Sequence, residues 1–147
     1  MKMKEKTAIN IFRSGLNCAQ TVLTTFTEDL KIDPELAKGI SCGFGAGMGR
    51  LQETCGAVTG SFMVLGIYNS KKFKDNKDRK DKTYSMIQLF SDKFTSLHGT
   101  MNCKKLINCD LRTEEGRIYA TENNVFETIC EKCILDSITI LKDITAL

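Results

Sequence analysis

The chain has 147 residues, 41% hydrophobic, 27% charged and 7% aromatic, with one proline and no tryptophan. That is the size of one ordinary domain, able to bury roughly two-thirds of its unfolded surface, and its apolar fraction excludes disordered, collagenous and low-complexity classes. The formal charge of +3 is uneven, because residues 71–82 carry net +4 and the remainder net −1.

In chain order, the N-terminal Met1-Lys-Met-Lys-Glu-Lys lacks an apolar run behind its lysines and does not read as a secretory signal. Ile9, Phe12 and Leu16 share one helical face, and Val22, Leu23, Phe26 and Leu30 continue a 3.6-residue stripe. Gly15 and Asn17 interrupt it, which predicts two helices meeting at residues 14–17. Asp33, Pro34 and Glu35 mark a helix start that should run to about Cys42. A glycine-rich link over residues 43–49 follows, then a long apolar helix over about 54–68. The weakly polar run 55–68 is shorter than the roughly 20 residues that span a bilayer.

Residues 71–82 read as a solvated loop running into the next helix. Interleaved aspartates, one aromatic and no recognition motif argue against a nucleic-acid partner. Tyr84, Ile87, Phe90, Phe94 and Leu97 predict an amphipathic helix, closed by His98 and a Gly99 cap. Residues 102–107 look like a short helix. Residues 111–123 read as irregular, with Thr113 to Gly116 as a turn. The final helix should cover about 124–144, with Phe126, Ile129, Cys133, Ile134, Ile138 and Leu141 inward. No alternating strand or internal repeat stands out. The expectation is an all-α fold: one compact helical bundle of about five to seven helices over residues 1–147, with the glycine-rich link inside it.

The glycines do not make a nucleotide site. Counted from Gly43 or Gly45, the third glycine of a dinucleotide fingerprint is Met48 or Arg50, a helix precedes the link, and no Walker lysine follows. Glycines there allow positive φ and close backbone approach. Gly56 and Gly60, with Ala57 and Ser61, would likewise let another helix approach closely.

The seven cysteines are Cys18, Cys42, Cys55, Cys103, Cys109, Cys130 and Cys133. With no signal and no span, a cytoplasmic location is expected, where clustered thiols ligate metal or cycle redox state. Zinc-finger spacing is absent, and the one C-x2-C pair, Cys130 and Cys133, falls inside a predicted helix. Asn17, Thr54 and Asn102 are good N-cap residues and precede Cys18, Cys55 and Cys103. Each of these cysteines should occupy a helix's first turn, where free amides and the helix dipole lower a thiol's pKa below about 8.5. Cys42, Cys109 and Cys133 read as small buried hydrophobes. His98, the sole histidine, is expected to face solvent at a helix end, and the dispersed carboxylates give no hydrolase pair.

Residues 14–20 with Cys18, the glycine link through Arg50, Cys55 to Gly60, Gly99 with Cys103 to Leu106, and Cys130 before the last apolar helix together resemble a known family. It is the small redox-active bacterial and archaeal proteins named for the C_GCAxxG_C_C pattern. The resemblance covers most of the chain and implies that Cys18, Cys55, Cys103 and Cys130 are the family's four characteristic cysteines. It implies Cys130 on its own, since capping does not select that residue. Asn108 stands where a glycine is common in the family. Family members often lie beside transporter genes, which suggests a membrane transporter as a partner.

Three readings follow. The four cysteines form a redox site that cycles between dithiol and disulfide with a redox partner; the same four hold a metal, as an iron–sulfur cluster or a zinc ion; or the protein is a non-catalytic interaction partner of a membrane transporter. All uses of the four depend on folding gathering them into one pocket.

Overall fold

Helical periodicity becomes nine α-helices among the described residues of the computed structural model, which describes residues 2–147. They are α1 (Met3–Arg13), α2 (Cys18–Thr25), α3 (Thr27–Leu30), α4 (Pro34–Ser41), α5 (Gly56–Lys72), α6 (Asn76–His98), α7 (Cys103–Ile107), α8 (Glu114–Glu122) and α9 (Glu131–Ile144). A 3₁₀ turn, Cys42–Phe44, leads into the glycine link, and a π-helical turn, Phe126–Cys130, leads into α9. No strand forms among the described residues, and one isolated antiparallel bridge joins Thr54 to Asn102. The all-α expectation is met. Among the described residues no helix is long and apolar enough to cross a membrane.

The start and stop signals act where the sequence puts them. The Asp33 carboxylate accepts from the Leu36 amide at 2.8 Å with Pro34 at the first helical position, and Gly99 closes α6 at φ 81°. Elsewhere the boundaries differ. The stripe from Val22 to Leu30 breaks at Phe26, whose φ of −104° separates α2 from α3. Most of residues 71–82 is helical, because α5 extends to Lys72 and Asp75 caps α6 by accepting from Asp78 at 3.1 Å. Local capping thus shortens the expected charged loop to a brief connection. Residues 114–122, expected to be irregular, form α8: the Thr113 hydroxyl accepts from the Gly116 amide at 2.9 Å and two glutamates occupy the first turn. Its weak apolar pattern hid it, since only Ala120 is buried there. Along α6 only Met86, Phe90 and Phe94 are buried, while Tyr84 and Leu97 are 58% and 61% exposed rather than inward.

Helix α5 is apolar on most sides and buries Val58, Val64 and Leu65 against Val22 and Leu23 of α2, Phe26 between α2 and α3, Phe90 and Phe94 of α6, and Ile134, Ile138 and Leu141 of α9. A second, smaller cluster gathers Cys103, Ile107, Leu111, Ala120 and Val125. Leu106 and Ile129 pack against both clusters, and at that junction the cysteines meet.

Candidate functional site

Cys18, Cys55, Cys103 and Cys130 line one cavity of about 160 Å³, and Cys133 lines it too. The remaining wall is mainly hydrocarbon: Phe12, Leu106, Ile107, Leu111, Phe126 and Ile129. All seven cysteines are free thiols.

Each sulfur arrives by a different local device. Cys18 begins α2 behind a full capping box, in which the Asn17 side chain accepts from the Gln20 amide and the Gln20 side chain accepts from the Asn17 amide, both at 3.0 Å. Asn17 Nδ2 also donates to the Cys42 carbonyl at 2.9 Å, tying this corner to the glycine link. A Cβ at Gly45 would fall 2.3 Å from Asn17 Cγ, so only glycine fits there. The link then turns left-handed, with positive φ at Ala46, Gly47, Met48, Gly49, Arg50 and Gln52. Left-handed backbone is unfavourable for residues with a Cβ by about 1–2 kcal/mol each, so its surroundings must hold it. The buried Gln52 side chain does part of that, donating to the Cys109 carbonyl at 2.8 Å and accepting from the Leu111 amide at 2.7 Å.

The turn delivers residues 52–55 alongside residues 101–104. The Cys55 amide donates to the Met101 carbonyl at 2.7 Å and the Cys103 amide donates to the Glu53 carbonyl at 2.6 Å. That short antiparallel contact sets Cys55 and Cys103 side by side. Cys103 begins α7 behind Asn102, which accepts from the Lys105 amide at 2.9 Å. Cys55 departs from expectation: it is itself the N-cap of α5, not a first-turn residue behind Thr54. Gly56 follows because a Cβ there would stand 2.5 Å from Cys18 Sγ. Cys130 ends the π-helical turn, a widened coil that recurs at functional sites.

The expectation of lowered thiol pKa values is overturned. Amides of Ala46, Ala19 and Cys18 do favour a thiolate at Cys18, yet burial outweighs them, with Cys55 adding repulsion, and its pKa is pushed up to about 11. At Cys55 the neighbouring Cys133 thiol, then burial, hold the pKa well above the ordinary value despite the nearby Ala57 and Val58 amides. Burial, then the charges of Cys55 and Cys18, push Cys103 up to about 12, and burial with the same neighbours raises Cys130 as well. Helix-end amides contribute at a surface; in a hydrocarbon cavity the lost hydration of the thiolate dominates. At neutral pH Cys18, Cys55, Cys103 and Cys130 are thiols.

Three residues read as bystanders are placed differently. Cys42 is exposed, not buried, because the 3₁₀ turn points away from the core. Cys133 is buried as expected but stands on the cavity wall beside Cys55. His98 is not solvent-facing: its side chain is 11% exposed, stacks on Phe94 with ring centroids 4.4 Å apart, and places Nδ1 3.9 Å from Cys133 Sγ. Its Nε2 lies 2.9 Å from Asp136 Oδ2, in contact with the carboxylate but out of line for a hydrogen bond. The spacing of Phe90, Phe94 and His98, four residues apart on one helix face, was the available signal. Among the described residues no three Cys, His, Asp or Glu side chains converge on a point suited to a single metal ion.

The family model described as "Putative redox-active protein (C_GCAxxG_C_C)" matches residues 16–144. An uncharacterized protein of Archaeoglobus fulgidus is 28% identical over 121 residues, a match covering 77% of this chain and 80% of that protein. No solved structure matches the chain.

Proposed function

The chain belongs to this C_GCAxxG_C_C family of redox-active proteins, and from that premise we propose that its cavity performs thiol–disulfide exchange, with Cys18, Cys55, Cys103 and Cys130 as the cycling sulfurs. The observation that carries the reading is convergence: cysteines spread from position 18 to position 130, on four separate elements, line one apolar cavity. Exchange passes a sulfur–sulfur bond from a substrate disulfide to a pair of protein thiols, so a dithiol is oxidised as one disulfide is reduced. It requires partner thiols close enough to bond, which a shared cavity favours, and access to thiolate, which burial there withholds at neutral pH. The site therefore acts on disulfides that enter or approach it, with deprotonation as the controlled step. The same reading places the protein in the cytoplasm, whose reducing poise would restore the dithiol state.

The test is anaerobic purification followed by iron, zinc and sulfide analysis, with free thiols counted under denaturing conditions before and after mild oxidation. The expected result is no stoichiometric metal, seven thiols before oxidation and at least two fewer after. Stoichiometric iron with sulfide would replace this reading by cluster binding through the same four sulfurs. Seven thiols unchanged by oxidant, without metal, would leave a helical interaction protein.

A further inference from the structure

Cys133 lies outside the four-cysteine pattern, yet it neighbours Cys55 on the cavity wall. Both sulfurs line the cavity. Cys133 is 1% exposed, so its reach is confined to what surrounds it. On its other side stands the imidazole of His98, Nδ1 at 3.9 Å. Beyond that ring Nε2 meets Asp136 Oδ2 at 2.9 Å, and Lys132 Nζ grips the same carboxylate at 2.6 Å and 2.7 Å. Asp136 lines surface grooves, so the row Cys55, Cys133, His98, Asp136 leads from the cavity to solvent.

Resting on the exchange reading above, and adding a fifth sulfur to its four, we infer that Cys133 is the thiol that resolves a mixed disulfide on Cys55, and that His98, oriented by Asp136, accepts the Cys133 proton. The negative charge of a carboxylate 2.9 Å from Nε2 favours the proton on that nitrogen and leaves Nδ1 as the acceptor facing sulfur. Long contacts of this kind tighten when the reacting partner is bound. Facing the imidazole are Phe94 from its own helix and Cys133 and Asp136 from α9, with Lys132 behind the carboxylate.

The chemistry balances with a substrate disulfide R–S–S–R as oxidant. Exchange at Cys55 gives Cys55–S–S–R and one RSH, which carries away the Cys55 proton. Cys133 then yields its proton to His98 Nδ1, and the resulting thiolate attacks Cys55 Sγ. The Cys55–Cys133 bond forms, the bond from Cys55 to R breaks, and the departing RS⁻ takes the proton from the imidazolium. Two electrons pass from the protein dithiol to the substrate, and His98 ends neutral. Cys133 and His98 touch the reacting atoms; Asp136 is a positioning residue.

A dipyridyl disulfide is a suitable small probe, since release of its thione is read by absorbance. Reduced full-length protein is treated with it, quenched by alkylation and digested with trypsin. Cleavage after lysine and arginine puts all seven cysteines on different peptides, separating Cys130 on 118–132 from Cys133 on 133–142. The expected product joins peptide 51–71 to peptide 133–142. Linkage of 51–71 to 14–31, 94–104 or 118–132 would overturn this inference and leave the exchange function standing. Seven alkylated thiols would remove both. In Cys133→Ser the pyridyl adduct should persist on Cys55; resolution as fast as in the natural chain would exclude Cys133. His98→Gln should slow resolution on the order of a hundredfold near neutral pH, and the deficit should narrow as pH rises and hydroxide replaces the imidazole as proton acceptor. No deficit, or one constant with pH, would remove the base role; far-UV circular dichroism of each variant verifies its helices.

Discussion

Alanine at Gly60 probes the close approach of α5 to α2, which brings the element bearing Cys55 against the element bearing Cys18. An added Cβ would stand 2.8 Å from the Ala19 carbonyl oxygen, 3.2 Å from Ala19 Cα and 3.2 Å from Val22 Cβ. Two of those atoms are backbone, so α2 itself must shift. Overpacking of this kind is unfavourable by about 1–3 kcal/mol, while removing a glycine from a helix interior restores about 1 kcal/mol. Gly66 lies on the same helix with nothing within 4 Å of its built Cβ, so alanine there collects the helix benefit alone. The difference between G66A and G60A cancels propensity and isolates the steric term, about 2 kcal/mol. Thermal unfolding under reductant should place G66A above the natural chain and G60A below it, the two separated in melting temperature by about 4–8 °C for a chain of this size. G60A should also open the cavity's first wall and speed alkylation of Cys18. Equal stabilities for G60A and G66A would refute the packing argument.

Two further outcomes follow from the same geometry. Above about pH 9 the unfolded chain loses its thiol protons while the folded cavity keeps them, so stability should fall as pH rises through the range ending at about 11 for Cys18 and about 12 for Cys103. Cys18→Ser should flatten that fall by at most about 3 kcal/mol, read as the difference in pH slope between anaerobic denaturation series; identical slopes would mean that Cys18 is hydrated. Gln52→Leu strands the Cys109 carbonyl and the Leu111 amide, each unfavourable by about 1–3 kcal/mol when buried without a partner. A loss of about 3 kcal/mol in urea unfolding, with faster hydrogen exchange at Leu111, is expected, and a loss under about 1 kcal/mol would show that water replaces the side chain.

Much of the secondary structure was legible because its causes are local. Helical periodicity, the Asp33 and Pro34 start, the Gly99 stop and the Asn17 capping box all act within one or two turns, and the structure keeps each of them. The same locality explains two misreadings: α8 has a cap without an apolar stripe, and residues 71–82 have charges that hid helix ends. Cys18 and Cys103 do begin helices behind asparagine caps, yet the inference from helix end to acidic thiol failed. A cap is visible in sequence; the hydrocarbon wall opposite it comes from other elements.

By itself the sequence determined an all-α chain, the small-residue face at Gly56 and Gly60, and which cysteines to watch, because capping, periodicity and residue spacing depend on neighbours a few positions away. Only the tertiary structure decided that Cys133 joins those sulfurs, that His98 turns inward beside it, and that burial keeps the pattern's four thiols protonated at neutral pH. Those facts depend on side chains brought together from positions 18 to 136, and on how much water the cavity excludes from them.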